Sequence, residues 1–462
     1  MKFESRALAR DFFRFNNMPL LLILYLFALV IIALNSASQV KSVSDFFVAR
    51  RGGSVLMITG SLLATIFGGS AIIGAVDAGP SMGGAATWFM LSGAIGLLAL
   101  LPFLPKIMQV RRFTLPDMIE DFYGKGAKTV ASIVIPVAWT GVVAAQIIAA
   151  AKLLQSFVGM NYSVAAVLCA VVFIGYTALG GQFSILRTDF LQAGFILLGI
   201  LALAFFTGQT PILHPGVEAP QFPFNANFSG LDLFLLLLTY ATTYTSGPDM
   251  FSRLFCARDE KTAQKSVLIV AFVMAIVGAC IGFLAEYAAI IPSVNGEGAK
   301  IIEIGKMVLP GFWMPLLGLC LLSVVLSSAD TTLLSSSIIL TRLISKSKLD
   351  DRAEINRTRW VIVLDGVVAL LIALQFTNII GMLLLALAVY AGAFTLPILF
   401  GLVGLRSKPQ FVSAAIVCGG VLAILGKLLP QTSIPHLGDF LLIFAFVVNG
   451  GLLLLGRIRK AP

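Results

Sequence analysis

Ser327-Ser328-Ala329-Asp330-Thr331-Thr332-Leu333-Leu334-Ser335-Ser336-Ser337 puts eight polar residues into eleven positions, one of them a carboxylate, within an otherwise apolar run over 312–344. A bilayer core takes about 20 consecutive apolar residues per helix, and this run is long enough to cross it. Ser328, Thr331 or Thr332, and Ser335 recur at i, i+3/4 and i+7, which is one face of a helix. A carboxylate at the bilayer centre is penalised by roughly 2.5–3.5 kcal/mol on insertion scales, so it needs a partner. A lone serine in such a helix bonds back to the carbonyl one turn earlier. Eight polar positions exceed that explanation, and the stripe reads as the lining of a cavity or an ion site.

The rest of the chain is built to surround such a helix with lipid. Of 462 residues, 58% are apolar and only 12% charged, against about 25% charged in soluble domains. That composition excludes a water-soluble particle, a disordered chain and, with no basic stripe, a nucleic-acid binder. Five cysteines (Cys169, Cys256, Cys280, Cys320, Cys418) lie scattered in apolar runs, which is neither a disulfide framework nor a zinc site. The two histidines, His214 and His436, fall in Pro-containing connectors, so the spans hold no base except carboxylates and enzyme chemistry is not expected. The reading is an all-α integral membrane protein with about thirteen spans. They lie near 17–36, 55–78, 84–105, 129–156, 162–180, 188–207, 231–252, 266–292, 312–344, 358–377, 380–404, 410–429 and 437–456, numbered one to thirteen below. The first run, Pro19 to Leu34, is longer than the core of a signal peptide.

Lys and Arg collect in alternate connectors: Lys41, Arg50 and Arg51, then Lys106 to Lys128, then Arg187, Arg253 to Lys265, Arg342 to Arg359, Arg406 and Lys408, and Arg457 to Lys460. The opposite connectors carry only Lys300, Lys306 and Lys427. By the positive-inside tendency the loaded side is cytoplasmic, which puts the N-terminus outside and the C-terminus inside a cell membrane. Lys2, Arg6, Arg10 and Arg14 run against that rule at the first span.

Two further spans are not plain. Span two contains Gly68-Gly69-Ser70, and adjacent glycines each cost about 1 kcal/mol relative to Ala in a helix. They let the backbone unwind and expose carbonyls, or else let helices pack closely. Span seven reads Thr239-Tyr240-Ala241-Thr242-Thr243-Tyr244-Thr245-Ser246-Gly247-Pro248-Asp249. Tyr240, Tyr244 and Pro248 fall on one face, and Gly-Pro removes a backbone donor. Asp249 and Arg253, one turn apart, are candidates to pair, and Asp365 in span ten is expected to find a hydroxyl or a water. Oxygen ligands without Cys or His suit a hard cation. Carbonyls of a broken helix facing hydroxyls of a second helix would make a dehydrated pocket for Na⁺.

At these residues the sequence resembles the sodium:solute symporter family, whose members include transporters of proline, galactose and sialic acid. The resemblance runs from about Ser44 to Arg406 and rests on ordered motifs. They are Ser44-Asp45-Phe46-Phe47-Val48-Ala49-Arg50, Thr114-Leu115-Pro116-Asp117, Tyr176-Thr177-Ala178-Leu179-Gly180-Gly181 with Thr188-Asp189-Phe190-Leu191-Gln192, and Ser327 to Leu334. It implies a ten-helix core of two inverted five-helix repeats, with substrate and ion held between broken helices at mid-membrane. The core is then 55–404, divided into 55–207 and 231–404. Residues 1–54 form a peripheral helix and cytoplasmic loop, and 405–462 two peripheral helices.

Carried over position by position, the family's sodium site falls on the carbonyls of Ala64, Phe67 and Val324 and the hydroxyls of Ser327 and Ser328. A further cation site found in some members matches Asp189, Asp330 and Thr331. Two carboxylates would lie close there, so either a cation bridges them or one is protonated. Substrate positions match Ile66, Gly68, Gly69, Ala71, Thr87, Tyr240, Thr243 and Tyr244. Ala71 and Thr87 lack the grip that sugar transporters have, so a small amino acid or a monocarboxylate is favoured. The function implied is Na⁺-coupled symport of such a solute by alternating access, with the lipid bilayer and the solute as partners. The alternative is a membrane sensor of the same fold that signals through a separate protein.

Overall fold

Inside lipid no water is available to backbone N–H and C=O groups, so a spanning chain of this composition must satisfy them within helices. The computed structural model describes residues 18–110, 113–210, 220–291, 299–345, 350–429 and 436–458. Among these the chain is helical from end to end, with only isolated bridges such as Gly53 to Ala257. Lys2, Arg6, Arg10, Arg14, Arg111, Arg112, His214, Lys346, Lys348, Arg459 and Lys460 lie outside the described residues.

Nine helices among the described residues are long and apolar enough to cross a bilayer, and the bent pair Val55–Ile66 and Ala71–Asp77 makes a tenth. Three features separate that number from thirteen. Tyr162–Gly208 is one helix of 47 residues broken at Gly181, where φ is 55° and ψ −157°. At 1.5 Å per residue it is about 70 Å long, more than twice the hydrocarbon thickness, so its halves correspond to spans five and six. Span one is helical over Met18–Ala37, of which Leu24–Ala37 forms a shorter apolar helix. Span seven is interrupted: helix Gly230–Leu236, a π turn Leu237–Ala241, helix Thr242–Ser246, extended Gly247, and helix Pro248–Leu254. The Tyr240, Tyr244, Pro248 face expected of one continuous helix therefore ends at Gly247, where proline starts a new one.

Burial sorts the spans into centre and rim. Span nine, Trp313–Ile344, is 94% buried over its apolar window, and span four, Lys125–Val158, 78%. Spans ten, twelve and thirteen, Asp351–Gln375, Pro409–Leu428 and Leu437–Leu455, are only 28–39% buried and present Trp360, Val417 and Phe444 outward. The hydroxyl-rich helix is thus the axis of the molecule, and the plain apolar helices are its lipid-facing coat.

The two broken spans are fixed by close backbone contact. A Cβ on Gly96 of span three would lie 2.0 Å from Ala241 O, so span three rests directly on the π turn of span seven. Thr245 donates to Gly96 O at 2.8 Å, and Tyr390 of span eleven donates to Ser246 O at 2.5 Å, answering a carbonyl freed at the break. Gly53 N–H donates to Cys256 O at 2.9 Å and ties the start of span two to the end of span seven.

A clamp of charged residues completes the frame. Asp117, in the helix Leu115–Tyr123, takes Lys128 at 2.9 Å and Arg342 at 3.3 Å, joining spans four and nine. Burial pushes its carboxyl up, but the charge of Arg342, with Lys128 and Thr114 bonding to it, outweighs that and holds it below the usual carboxylate range. Asp365 of span ten finds its hydroxyl in Thr140 at 2.5 Å.

Gly181 sits in a backbone region essentially reserved for glycine, and an added Cβ would lie 2.6 Å from the Phe46 ring. Gly181→Ala should therefore lower stability by about 1–3 kcal/mol, read as a reduced melting temperature of the purified protein in detergent.

Candidate ion and solute site

Span two supplies carbonyls because its helix stops. Val55–Ile66 ends at Phe67, whose φ of −78° and ψ of 54° leave the helical region, and the chain resumes as Ala71–Asp77 at an angle of 56°. In an unbroken helix Thr65 O would accept from Gly69 N–H. Here Gly69 N–H turns to Gln146 Oε1 of span four at 3.2 Å, and Thr65 O accepts from Ser328 at 3.0 Å. No side chain fits at the break: a Cβ on Gly68 would lie 2.7 Å from Ser328 Oγ, and one on Gly69 3.1 Å from Ala149 and from Gln146 Oε1.

Ser327 Oγ lies 2.7 Å from Ala64 O, 2.8 Å from Ser323 O and 3.4 Å from Val324 O. Ser323 O and Val324 O already accept helical N–H groups within Trp313–Ile344, so the single hydroxyl proton is divided between its own helix and Ala64 O. Oxygen lone pairs therefore outnumber protons around Ser327, in a fully buried place, which is the donor set that suits a small alkali cation. Of the sodium ligands carried over from the family, Ala64, Val324 and Ser327 meet here. Phe67 is fully buried at the break. Ser328 is set one residue on, against Thr65 instead of Ala64.

The candidates for a second cation site also meet, but around an arginine. Arg253 of span seven donates to Asp189 of span six at 3.0 Å, and both side chains are 0% exposed. The same nitrogen bonds the Thr331 hydroxyl. Ser61 of span two donates to Asp189 at 2.5 Å. Asp249 is thus not the partner of Arg253. The guanidinium reaches past its own helix because Asp189 and Asp330 offer buried charge, whereas Asp249 sits at the first turn of its helix with its Oδ1 unpartnered.

Between spans two, four, seven and nine lies a cavity of ≈ 60 Å³. Ile66, Gly68, Ala71, Tyr240, Thr243 and Tyr244, the positions carried over from the family's solute contacts, are among its walls. The tyrosine rings stand 5.3 Å apart. Gly69 and Thr87 are not among its walls: Gly69 packs on spans four and nine, and Thr87 packs on Gly282 of span eight. Trp139 and Gln146 of span four line it without having been singled out, and Asp249 and Thr332, read as an ion-pair candidate and as part of the hydroxyl stripe, line it as well. Gln146 had a readable signal, a lone amide in the alanine-rich middle of span four. Arg253 was read only as a partner for Asp249 and as the first of a basic run in a connector. Ser328 belongs to the cavity wall and also stands beside the oxygens around Ser327, so ion and solute would share one residue.

Broken helices that face a small cavity beside two hydroxyl–carbonyl pairs are the arrangement that membrane transporters use to hold solute and ion. Residues 46–210 and 219–410 match the sodium:solute symporter family, and the chain belongs to it. The family consists of transporters, not enzymes. Among its relatives, the sodium/proline symporter of Haemophilus influenzae is 23% identical over 451 residues, covering 88% of each chain. The sodium/pantothenate symporter of Escherichia coli is 26% identical, covering 89% of each. The fold matches that of a Na⁺-coupled sialic acid symporter solved in a substrate-bound outward-open state, with a TM-score of 0.77 at 15% identity over 96% of this chain and 98% of that one.

Removing one partner of a buried ion pair costs about 3–5 kcal/mol, because the other charge is left uncompensated. Asp189→Asn should therefore lower the melting temperature of the purified protein more than Asp189→Asn combined with Arg253→Gln does.

Proposed function

We propose that this protein imports a small amino acid into the cell, driven by Na⁺, with residues 55–404 as the moving core. In this reading it lies in the cell membrane with its N-terminus outside and its C-terminus in the cytoplasm. The halves 55–207 and 231–404 each open with a broken span. The observation that carries the reading is the excess of lone pairs around Ser327, formed between the break in span two and the hydroxyl stripe of span nine. Na⁺ entering there takes the Ala64 carbonyl from the Ser327 proton and draws Ser327 and Ser328 onto itself. That orders the Gly68–Gly69 break, and with it the wall of the cavity.

Solute class follows from what the cavity contains. Asp249 brings a carboxylate oxygen with no protein partner, which favours a solute bearing an ammonium group and repels a plain monocarboxylate. The small volume, ≈ 60 Å³, and the absence of a polyol grip at Ala71 disfavour a sugar. A proline transporter among the relatives agrees with this class. The energetics suffice. One charge crossing about 100 mV releases about 2.3 kcal/mol, and a tenfold Na⁺ gradient adds about 1.4 kcal/mol. Together they sustain roughly a 500-fold solute gradient. Coupling is reciprocal, so Na⁺ raises solute affinity by the factor that solute raises Na⁺ affinity.

Replacing Ser327 and Ser328 together by alanine should abolish Na⁺-stimulated uptake into reconstituted vesicles while the protein still reaches the membrane. Uptake with unchanged sodium dependence overturns the assignment. Asp249→Asn should raise the KM for the transported amino acid roughly ten- to a hundredfold, the loss of a charge-assisted hydrogen bond. An unchanged KM in a screen of labelled amino acids rules out the ammonium contact.

A further inference from the structure

A chamber of ≈ 600 Å³ adjoins the solute cavity and takes no part in the mechanism proposed above. Three helices line both. On span two the walls pass from Ala71 to Asp77, on span four from Gln146 to Lys152, and on span eleven from Leu383 back to Ile379. Six residues of helix advance about 9 Å, so the chamber lies directly beyond the cavity, on the side away from the basic connectors. A solute approaching from that side crosses it first. Its volume falls in the range of small-molecule sites, about 300–1,000 Å³, whereas the inner cavity is ≈ 60 Å³.

The chamber holds charges of both signs. Asp77 Oδ1 accepts Lys300 N–H at 2.6 Å, and Oδ2 takes no hydrogen bond among the described residues. Lys300 pairs with Glu303 at 3.2 Å. Lys152 is half-buried and makes no hydrogen bond or ion pair among the described residues, although it stands near enough for its charge to act on Asp77. Gln155 and Thr377 add uncharged polar groups to the wall. The inner cavity has the opposite balance, with an unpartnered carboxylate oxygen on Asp249 and no Lys or Arg in its walls. The ammonium of an amino acid therefore has a partner inside, while its carboxylate meets a cationic side chain only in the chamber.

We propose that this chamber is a second binding site for the solute as a zwitterion, with Lys152 on the carboxylate and Asp77 on the ammonium, and that it selects for a free carboxylate before the inner cavity admits the molecule. The proposal rests on the amino-acid reading above and adds where the carboxylate is recognised. A wall with one sign of charge attracts any counter-ion; a wall with both signs favours a molecule that carries both. The competing account is a bare latch between Lys152 and Asp77, which would act on the acid and on its neutral amide alike.

The test is competition for uptake into vesicles reconstituted with the full-length protein. The probes are glycine, L-alanine, L-serine and L-proline, each with its carboxamide. Whichever amino acid is taken up with Na⁺ serves as the label, and the same acid and its amide serve as unlabelled competitors. Wild type should be inhibited by the acid at about tenfold lower concentration than by the amide, the worth of one charge-assisted hydrogen bond. Lys152→Gln should lose that preference, and Lys152→Arg should keep it. A wild type that does not distinguish acid from amide overturns the proposal without any variant, so a poorly folding Lys152→Gln protein does not shield it. A transporting Lys152→Gln protein with the full preference also overturns it, because the carboxylate is then recognised elsewhere. Uptake of none of the four with Na⁺ overturns the small-amino-acid reading, and the proposal with it, before any amide is added.

Discussion

Ala64 and Thr65 present backbone carbonyls in the middle of a protein that lipid surrounds, at a point where their own helix no longer supplies donors. In water such groups would be solvated; in a bilayer each must find a partner in the protein or in an ion. Ser327 and Ser328 of the central helix are those partners, and Gln146 takes the N–H that the break releases at Gly69. The arrangement is a neutral cluster of oxygens sharing too few protons. It holds the break in place and remains open to an ion that offers the carbonyls more than a shared hydroxyl proton does.

The same constraint shapes the other half of the core. Span seven is interrupted by a π turn and by Gly247-Pro248, and its freed carbonyl at Ser246 is answered by Tyr390. Span three is held against it by glycine at position 96, which leaves room for nothing larger. Each interruption thus depends on a neighbouring helix, so the breaks cannot rearrange without shifting the helices around them. In the proposed mechanism, that linkage between local backbone and rigid neighbours is what would let a small ion influence the attitude of whole spans.

Much of this was legible in one dimension. The spans follow from length and composition, the importance of span nine from eight polar residues in a row of eleven, and the weak point in span two from adjacent glycines, which read as either a break or close helix packing. The tyrosines of span seven, matched to solute positions of the family, line the cavity. Their periodicity was extended one turn too far, through a proline that begins a new helix. Thr87 and Gly69 were placed by analogy with sites elsewhere in the family; the Thr87 side chain packs on Gly282, and the Gly69 backbone lies against spans four and nine. Arg253 was hidden by its setting: a basic residue among basic residues reads as a cytoplasmic charge until the fold bends it inward.

The sequence by itself determined a lipid-embedded helical bundle with a polar axis and two weakened spans, because burial costs and helix propensities act locally and leave periodic traces. Only the tertiary structure decided which carbonyl meets which hydroxyl, that Gln146 completes the break, and that Asp189 is answered by Arg253 and not by a neighbour in sequence. Those choices depend on distances between residues up to 263 positions apart, and spacing along a chain has no term for them.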